Sequence, residues 1–217
     1  MKVVVIIAGQ MRTAEHCAPG IRAIYPDASF VVHAPLDENA EKAFLFCPSV
    51  TLIEPQPELP ERHQYTLQVG RGCNGVQRNL RQLWGNQRAW KAFEMSGLEA
   101  DVIVRCRPDL LFYRPPEPPE PDEFLHVPTH SNFWGLNDRF AWGSPAIMRK
   151  YFNRLDRLDE YIDAGGIFHA ESFLGWAMAG VRVSRSQAIH ASLRGDGTVD
   201  EPIWSDHWGD GQCPRQS

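Results

Sequence analysis

The chain has 217 residues, 43% of them hydrophobic and 23% charged, with a formal net charge of −5. That is enough apolar material for one large domain or two small ones, and it excludes a globally disordered chain. The mild acidity gives no global electrostatic reason to bind nucleic acid, so no nucleic-acid partner is expected.

Val3–Ala8 is apolar on both faces, the pattern of a central strand in a parallel sheet, and Gly9 follows where a strand turns into a loop. Residues 13–25 read as a poor helix interrupted by Pro19-Gly20. Ser29–His33 reads as a second strand and Val50–Ile53 as a third. Residues 54–75, rich in Pro, Gly and polar groups, read as a long, partly ordered loop of a length that is often functional. From Val76 a helix is expected, with Leu80, Leu83, Trp90 and Phe93 on one face and Gly97 closing it. Asp101–Cys106 is the next strand, ending at Arg107-Pro108-Asp109, and Leu110–Tyr113 continues extended.

Pro115–Pro121 is too proline-dense for helix or central strand and reads as a polyproline-like linker. Ser144-Pro145 opens a helix whose apolar face runs from Met148 to Ile162, and Gly165-Gly166 ends it. Glu171–Ala179 is a shorter helix closed by Gly180, and Val181–Ser184 is the last strand. Residues 1–195 thus form one α/β domain, a sandwich around a largely parallel sheet. Residues 196–217 form a polar tail that could cover the site, with His207-Trp208 in it.

In such sheets ligands bind beyond the carboxyl ends of the strands. That rule selects Gly9–Arg12, His33–Asp37 and Arg107–Asp109. The segment Arg105-Cys106-Arg107-Pro108-Asp109 is the most informative. An Asp at a strand end can ligate a divalent cation that bridges a diphosphate, and an adjacent Arg can hold phosphate or lower the carboxylate's pKa. The plain alternative is an Arg–Asp pair that only ties the loop down. Gly9 lets a ligand approach the backbone, Gln10 can bond a base and Arg12 can meet phosphate, although a simple strand-to-helix turn explains them equally well. Neither GxGxxG nor GxxxxGK[ST] occurs.

Glu171 can serve as a general base or can simply favour its helix dipole. His190, placed after the last strand, can coordinate metal or phosphate or can be structural, and the same holds for His33 and His169. Asn86 and Arg88 are polar positions on the helix that starts at Val76 and are candidates for ligand contact. The odd cysteine count, wide spacing and lack of CxxC argue against a disulfide framework or structural zinc, so reduced thiols in a cytoplasmic protein are expected. The N-terminal apolar run is too short for a signal sequence. No stretch approaches the roughly 20 apolar residues that span a bilayer, so membrane contact is expected to be peripheral at most.

Several of these segments together resemble bacterial capsule and lipopolysaccharide glycosyltransferases of the GT-A fold. They are Ala8-Gly9-Gln10-Met11-Arg12-Thr13, Phe30-Val31-Val32-His33, the strand Asp101–Leu110, Asn137-Asp138-Arg139-Phe140-Ala141-Trp142-Gly143-Ser144, His169-Ala170-Glu171-Ser172-Phe173-Leu174 and Gly180-Val181-Arg182-Val183. The resemblance spans roughly residues 1–195. It implies a GT-A-like three-layer sandwich that moves a sugar from a nucleotide-diphosphate donor to a hydroxyl of a saccharide or lipid-linked glycan. Gly9, Gln10, Arg12, His33, Arg88 and Arg107 would face the donor. Asp109, with His190, would hold a divalent cation, Mn²⁺ or Mg²⁺. Glu171 and Asp138 would act at the acceptor. The chain departs from the family's Asp-x-Asp, because Pro108-Asp109-Leu110-Leu111 carries a single Asp. Metal dependence is therefore open, with Arg105 or Arg107 as the alternative source of positive charge. A nucleotide-sugar-binding module without catalysis is the alternative function.

Overall fold

The computed structural model describes residues 1–59 and 75–204. Its strands are β1 (Val3–Ala8), β2 (Ser29–Pro35), β3 (Val50–Glu54), β4 (Val102–Cys106), β5 (Leu110–Arg114), β6 (Phe124–Pro128), β7 (Phe140–Gly143), β8 (Arg182–Ser186), β9 (Ile189–Leu193) and β10 (Val199–Asp200). The helices are α1 (Ala14–Ile24), α2 (Val76–Ser96), α3 (Pro145–Phe152), α4 (Leu158–Asp163) and α5 (Ala170–Ala177). Seven strands make one sheet in the order β3-β2-β1-β4-β7-β6-β8, and only β7 runs against the others. The molecule is thus a mixed α/β sandwich on a mostly parallel sheet. No described helix is long and apolar enough to cross a membrane.

Strand alternation sorts the core into two layers. Val5, Ile7, Val32 and Val104 face α1, whereas Val4, Ile6, Val31 and Ile103 face α2, α3 and α5. Each such side chain contributes roughly 1.5–3 kcal/mol when fully buried. A charged residue at Ile6, which is 0% exposed, would enter an apolar layer, with the buried Arg105 as its neighbour on β4.

Four elements differ from the expectation. Pro19 does not interrupt α1, which runs through it. Ala14, Cys17, Ala18 and Ile21 keep helical spacing against the sheet, and Pro19 lies on the outer face, so packing overrides the lost hydrogen bond. The helix expected from Ser144 to Ile162 is broken into α3, a 3₁₀ turn at Arg154–Arg157 and α4. Arg154 is buried there, donating to the Tyr151 carbonyl at 2.7 Å with its guanidinium over the Tyr151 ring. The Pro115–Pro121 segment is tied down rather than free. Glu117 accepts from Ser186 Oγ at 2.7 Å and from the Gln187 amide at 2.8 Å.

The fourth difference shapes the site. Leu110 onward leaves the main sheet, and β5 pairs antiparallel with β9 in a second sheet, β10-β9-β5. The corner between the sheets is Arg107-Pro108-Asp109. The Arg107 amide donates to the Arg139 carbonyl at 3.1 Å, and the Leu193 amide to the Asp109 carbonyl at 2.8 Å. Residues 194–196 are thereby carried to the same rim as Arg107 and Asp109.

Candidate functional site

A cleft of about 810 Å³ opens where β1, β2 and β4 end. Gly9, Gln10 and Arg12 line it from β1, His33 and Pro35 from β2, and Arg105, Arg107 and Asp109 from β4 and its corner. Gly9 has φ +148, and a Cβ there would lie 3.1 Å from Pro108 Cδ, so glycine suits both the turn and the close approach. Arg78, Arg81, Gln82 and Gly85 close one side from α2. Their i, i+3, i+4, i+7 spacing puts them on one helix face. Arg194 and Asp196 close another side from the loop after β9.

The wall is cationic. Six arginines (12, 78, 81, 105, 107 and 194) face the aspartates 109 and 196. Arg107 grips Asp109 with both ends of its guanidinium, Nε to Oδ1 at 2.9 Å and Nη2 to Oδ2 at 2.5 Å. Burial works against the Asp109 charge, but Arg107 and then Arg194 and Arg139 outweigh it and hold the carboxyl below its ordinary range. Arg81 pairs with Glu58 and Arg194 with Asp200. Among the described residues no carboxylate forms an ion pair with Arg12, Arg78 or Arg105. Arg105 is 0% exposed, and its Nε and Nη2 have no hydrogen-bond partner. Its pKa is lowered, burial being the main cause. Partial burial and the neighbouring Arg194, Arg107 and Arg12 lower that of Arg78.

Behind this wall sits a second group of charges. Gln82, a cleft residue, donates to Asp138 Oδ2, and Tyr151 Oη donates to the Asp138 carbonyl at 2.9 Å. Glu171, at the first turn of α5, is 7% exposed. Burial and then the like charge of Asp138 push its pKa up to about 8 against the weaker pull of Arg139 and Arg107. His169 Nδ1 lies 3.4 Å from Glu171 Oε2, and burial lowers the His169 pKa. The Glu171 backbone is locked by the loop before β7, because the Leu136 amide donates to the Glu171 carbonyl at 3.1 Å. A Cβ at Gly135 would collide with that carbonyl.

Of the residues expected at the site, Gly9, Gln10, Arg12, His33, Arg107 and Asp109 come together in the cleft. Asp138 and Glu171 lie together behind it. Arg88 points elsewhere, into a paired contact with Glu54 at 2.6 and 2.9 Å, and His33 Nε2 lies 3.2 Å from the same carboxylate. Asn86 is fully buried and does not line the cleft.

His190 requires correction. It lies inside β9 rather than after the last strand, is 0% exposed and is not a cleft residue. Its ring packs edge-on to Phe112, Phe140 and His130, with both ring nitrogens unpartnered. Burial, then His130 and Arg139, lower its pKa well below the usual histidine range. The expected divalent cation does not fit these side chains. Both Asp109 oxygens are taken by Arg107, His190 sits in an aromatic layer, and no group of three or more His, Cys, Asp or Glu among the described residues could hold a metal.

Reading the sequence missed Arg78, Arg81 and Gln82, although their polar stripe at helical spacing was available about two to three turns before Arg88. It also missed Arg194 and Asp196. Only the β5–β9 pairing brings that loop to the cleft, and no local signal encodes it. The tail is only partly described. Asp196 lines the cleft and Trp204 packs on His130, while His207-Trp208 lies outside the described residues. The long loop expected over 54–75 also falls largely outside them. A scan against protein-family models gives no match, and a search of curated proteins finds no similar sequence.

Proposed function

We propose that this chain is a GT-A-like glycosyltransferase that moves a sugar from a nucleotide-diphosphate donor to a hydroxyl of a saccharide or glycolipid. The observation that carries this reading is an arginine-lined cleft at the carboxyl ends of parallel strands, backed by a carboxyl whose pKa is raised to about 8. In this reading the donor's diphosphate lies against the guanidiniums, with Gly9 and Gln10 beside the nucleotide. The acceptor oxygen attacks the anomeric carbon, the bond from that carbon to the phosphate oxygen breaks, and the nucleoside diphosphate leaves. Glu171 takes the acceptor proton, and its raised pKa suits a base that must hold that proton near neutral pH. Asp138 and His169 position Glu171. The arginines stabilise the charge that grows on the leaving group.

A second reading, donor binding without transfer, draws on the fact that neither Glu171 nor Asp138 lines the cleft wall. Turnover separates the two. The test is thermal shift of the full chain with UDP- and GDP-sugars, followed by detection of released nucleoside diphosphate with saccharide acceptors. A shift with release supports transfer, a shift without release supports binding alone, and no shift with any donor removes both.

A further inference from the structure

We infer that the cleft binds a diphosphate through guanidinium groups alone, with no divalent cation. This rests on the donor-binding reading above and adds how the donor's charge is met. The first observation is Asp109, the only carboxylate of the β4 corner at the cleft. Both its oxygens are engaged by Arg107, so a cation would have to displace a bidentate guanidinium to reach it. That cation would also enter a field set by Arg194 and Arg139, which already hold the Asp109 charge in place.

The second observation is independent of Asp109. Arg105 is a fully buried cation on the cleft wall, with two of its three guanidinium nitrogens lacking a partner. Its Nη1 donates to the Arg139 carbonyl at 3.3 Å and Asp138 is the carboxylate that acts on it, so Nε and Nη2 are the buried donors left for an anion entering the cleft to satisfy. Arg12 and Arg78 flank the same space without a carboxylate partner among the described residues. Of the six arginines that line the cleft, 81, 107 and 194 have ion-pair partners, and these three have none among the described residues. A nucleoside diphosphate bears one more negative charge as a leaving group than as a sugar ester. Three guanidiniums without an ion pair among the described residues therefore favour the departing form, the role a bridging cation plays elsewhere.

The experiment is calorimetric titration of the full chain with inorganic pyrophosphate, UDP and GDP, in EDTA and then in Mn²⁺. Binding of at least one diphosphate is expected in EDTA, no weaker than in Mn²⁺ and falling as salt rises. Arg105→Gln and Arg78→Gln are each expected to weaken it about tenfold, equivalent to about 1.4 kcal/mol. Arg78 lies on the helix surface, so its variant remains informative if Arg105→Gln fails to fold. Asp109→Asn is expected to keep or tighten binding, because it frees Arg107. Binding that needs Mn²⁺, or that Asp109→Asn abolishes while its melting curve shows it folded, overturns the inference while glycosyl transfer stands. Binding in EDTA without transfer upholds the inference and removes the transferase reading. No diphosphate binding under either condition overturns both.

Discussion

Asp109 and Glu171 are enclosed to nearly the same degree, with side chains 13% and 10% exposed, yet their pKa values move in opposite directions. Burial disfavours the charged form of both. Asp109 has Arg107 bonded to both oxygens and two further guanidiniums nearby, so its charge is held. Glu171 has a histidine at 3.4 Å and the carboxylate of Asp138, so its proton is held. The number of guanidiniums in contact, rather than depth, decides which acid stays ionised and which can exchange a proton near neutrality. The two carboxyls divide the site into a cationic wall and a buried acidic interior.

The largest expected effect breaks the interior. Glu171→Gln should lower transfer by about 10²–10⁴-fold, the usual range for a general base, while the variant still melts cooperatively. In the parent, transfer should rise with pH toward about 8 as Glu171 loses its proton. The folded pKa of about 8 exceeds the ordinary 4.5, so the stability tied to this proton is complete below pH 4.5 and is lost as pH rises through 8. Melting curves should therefore show Glu171→Gln gaining on the parent between those limits. A pH-independent gap between the two proteins would mean that Glu171 titrates normally.

The next effect breaks the wall. Asp109→Asn leaves Arg107 without its counter-charge among other guanidiniums and should cost about 3 kcal/mol of stability. Pyrophosphate should restore more of the melting temperature in this variant than in the parent. Equal melting of variant and parent without added anion would show that the Arg107–Asp109 pair does not hold the corner.

Much of this division is legible in the sequence, and the limits are physical. Gly9, Arg12, His33, Arg107 and Asp109 lie just beyond apolar strand runs, and the strand-end rule brings them together without knowledge of tertiary contacts. The grip of Arg107 on Asp109 is not legible, because sequence spacing cannot show that Arg107 turns back on it. The directions at Glu171 and His190 depend on what packs around them, and β6, β7 and β9 are too short and too mixed to announce themselves. The place of His190 inside β9 is hidden from the sequence because the β5–β9 pairing is a long-range contact. Arg78 and Arg194 meet only across that same non-local geometry.

A smaller effect tests the aromatic layer beside the wall. His190→Leu removes two buried ring nitrogens without partners and keeps the backbone N–H that donates to His130 Nε2 at 3.3 Å. The variant should melt at or slightly above the parent and bind diphosphate equally well. A Mn²⁺-specific loss of binding would return His190 to the ligand set.

The smallest effect marks where the wall ends. Arg88 lies one turn beyond Gly85 and bonds Glu54 at 2.6 and 2.9 Å, with side chains 31% and 20% exposed. So open a pair contributes up to about 1 kcal/mol. After Arg88→Gln, Glu54 still has His33 Nε2 at 3.2 Å, so the end of β3 should stay in place. Calorimetry should find diphosphate affinity changed less than about twofold, because the charge removed is already paired with Glu54 and does not line the cleft. A tenfold loss would mean that Arg88 exchanges Glu54 for the ligand. The cationic face of α2 would then extend a turn past Gly85, and His33 would become its floor rather than its edge.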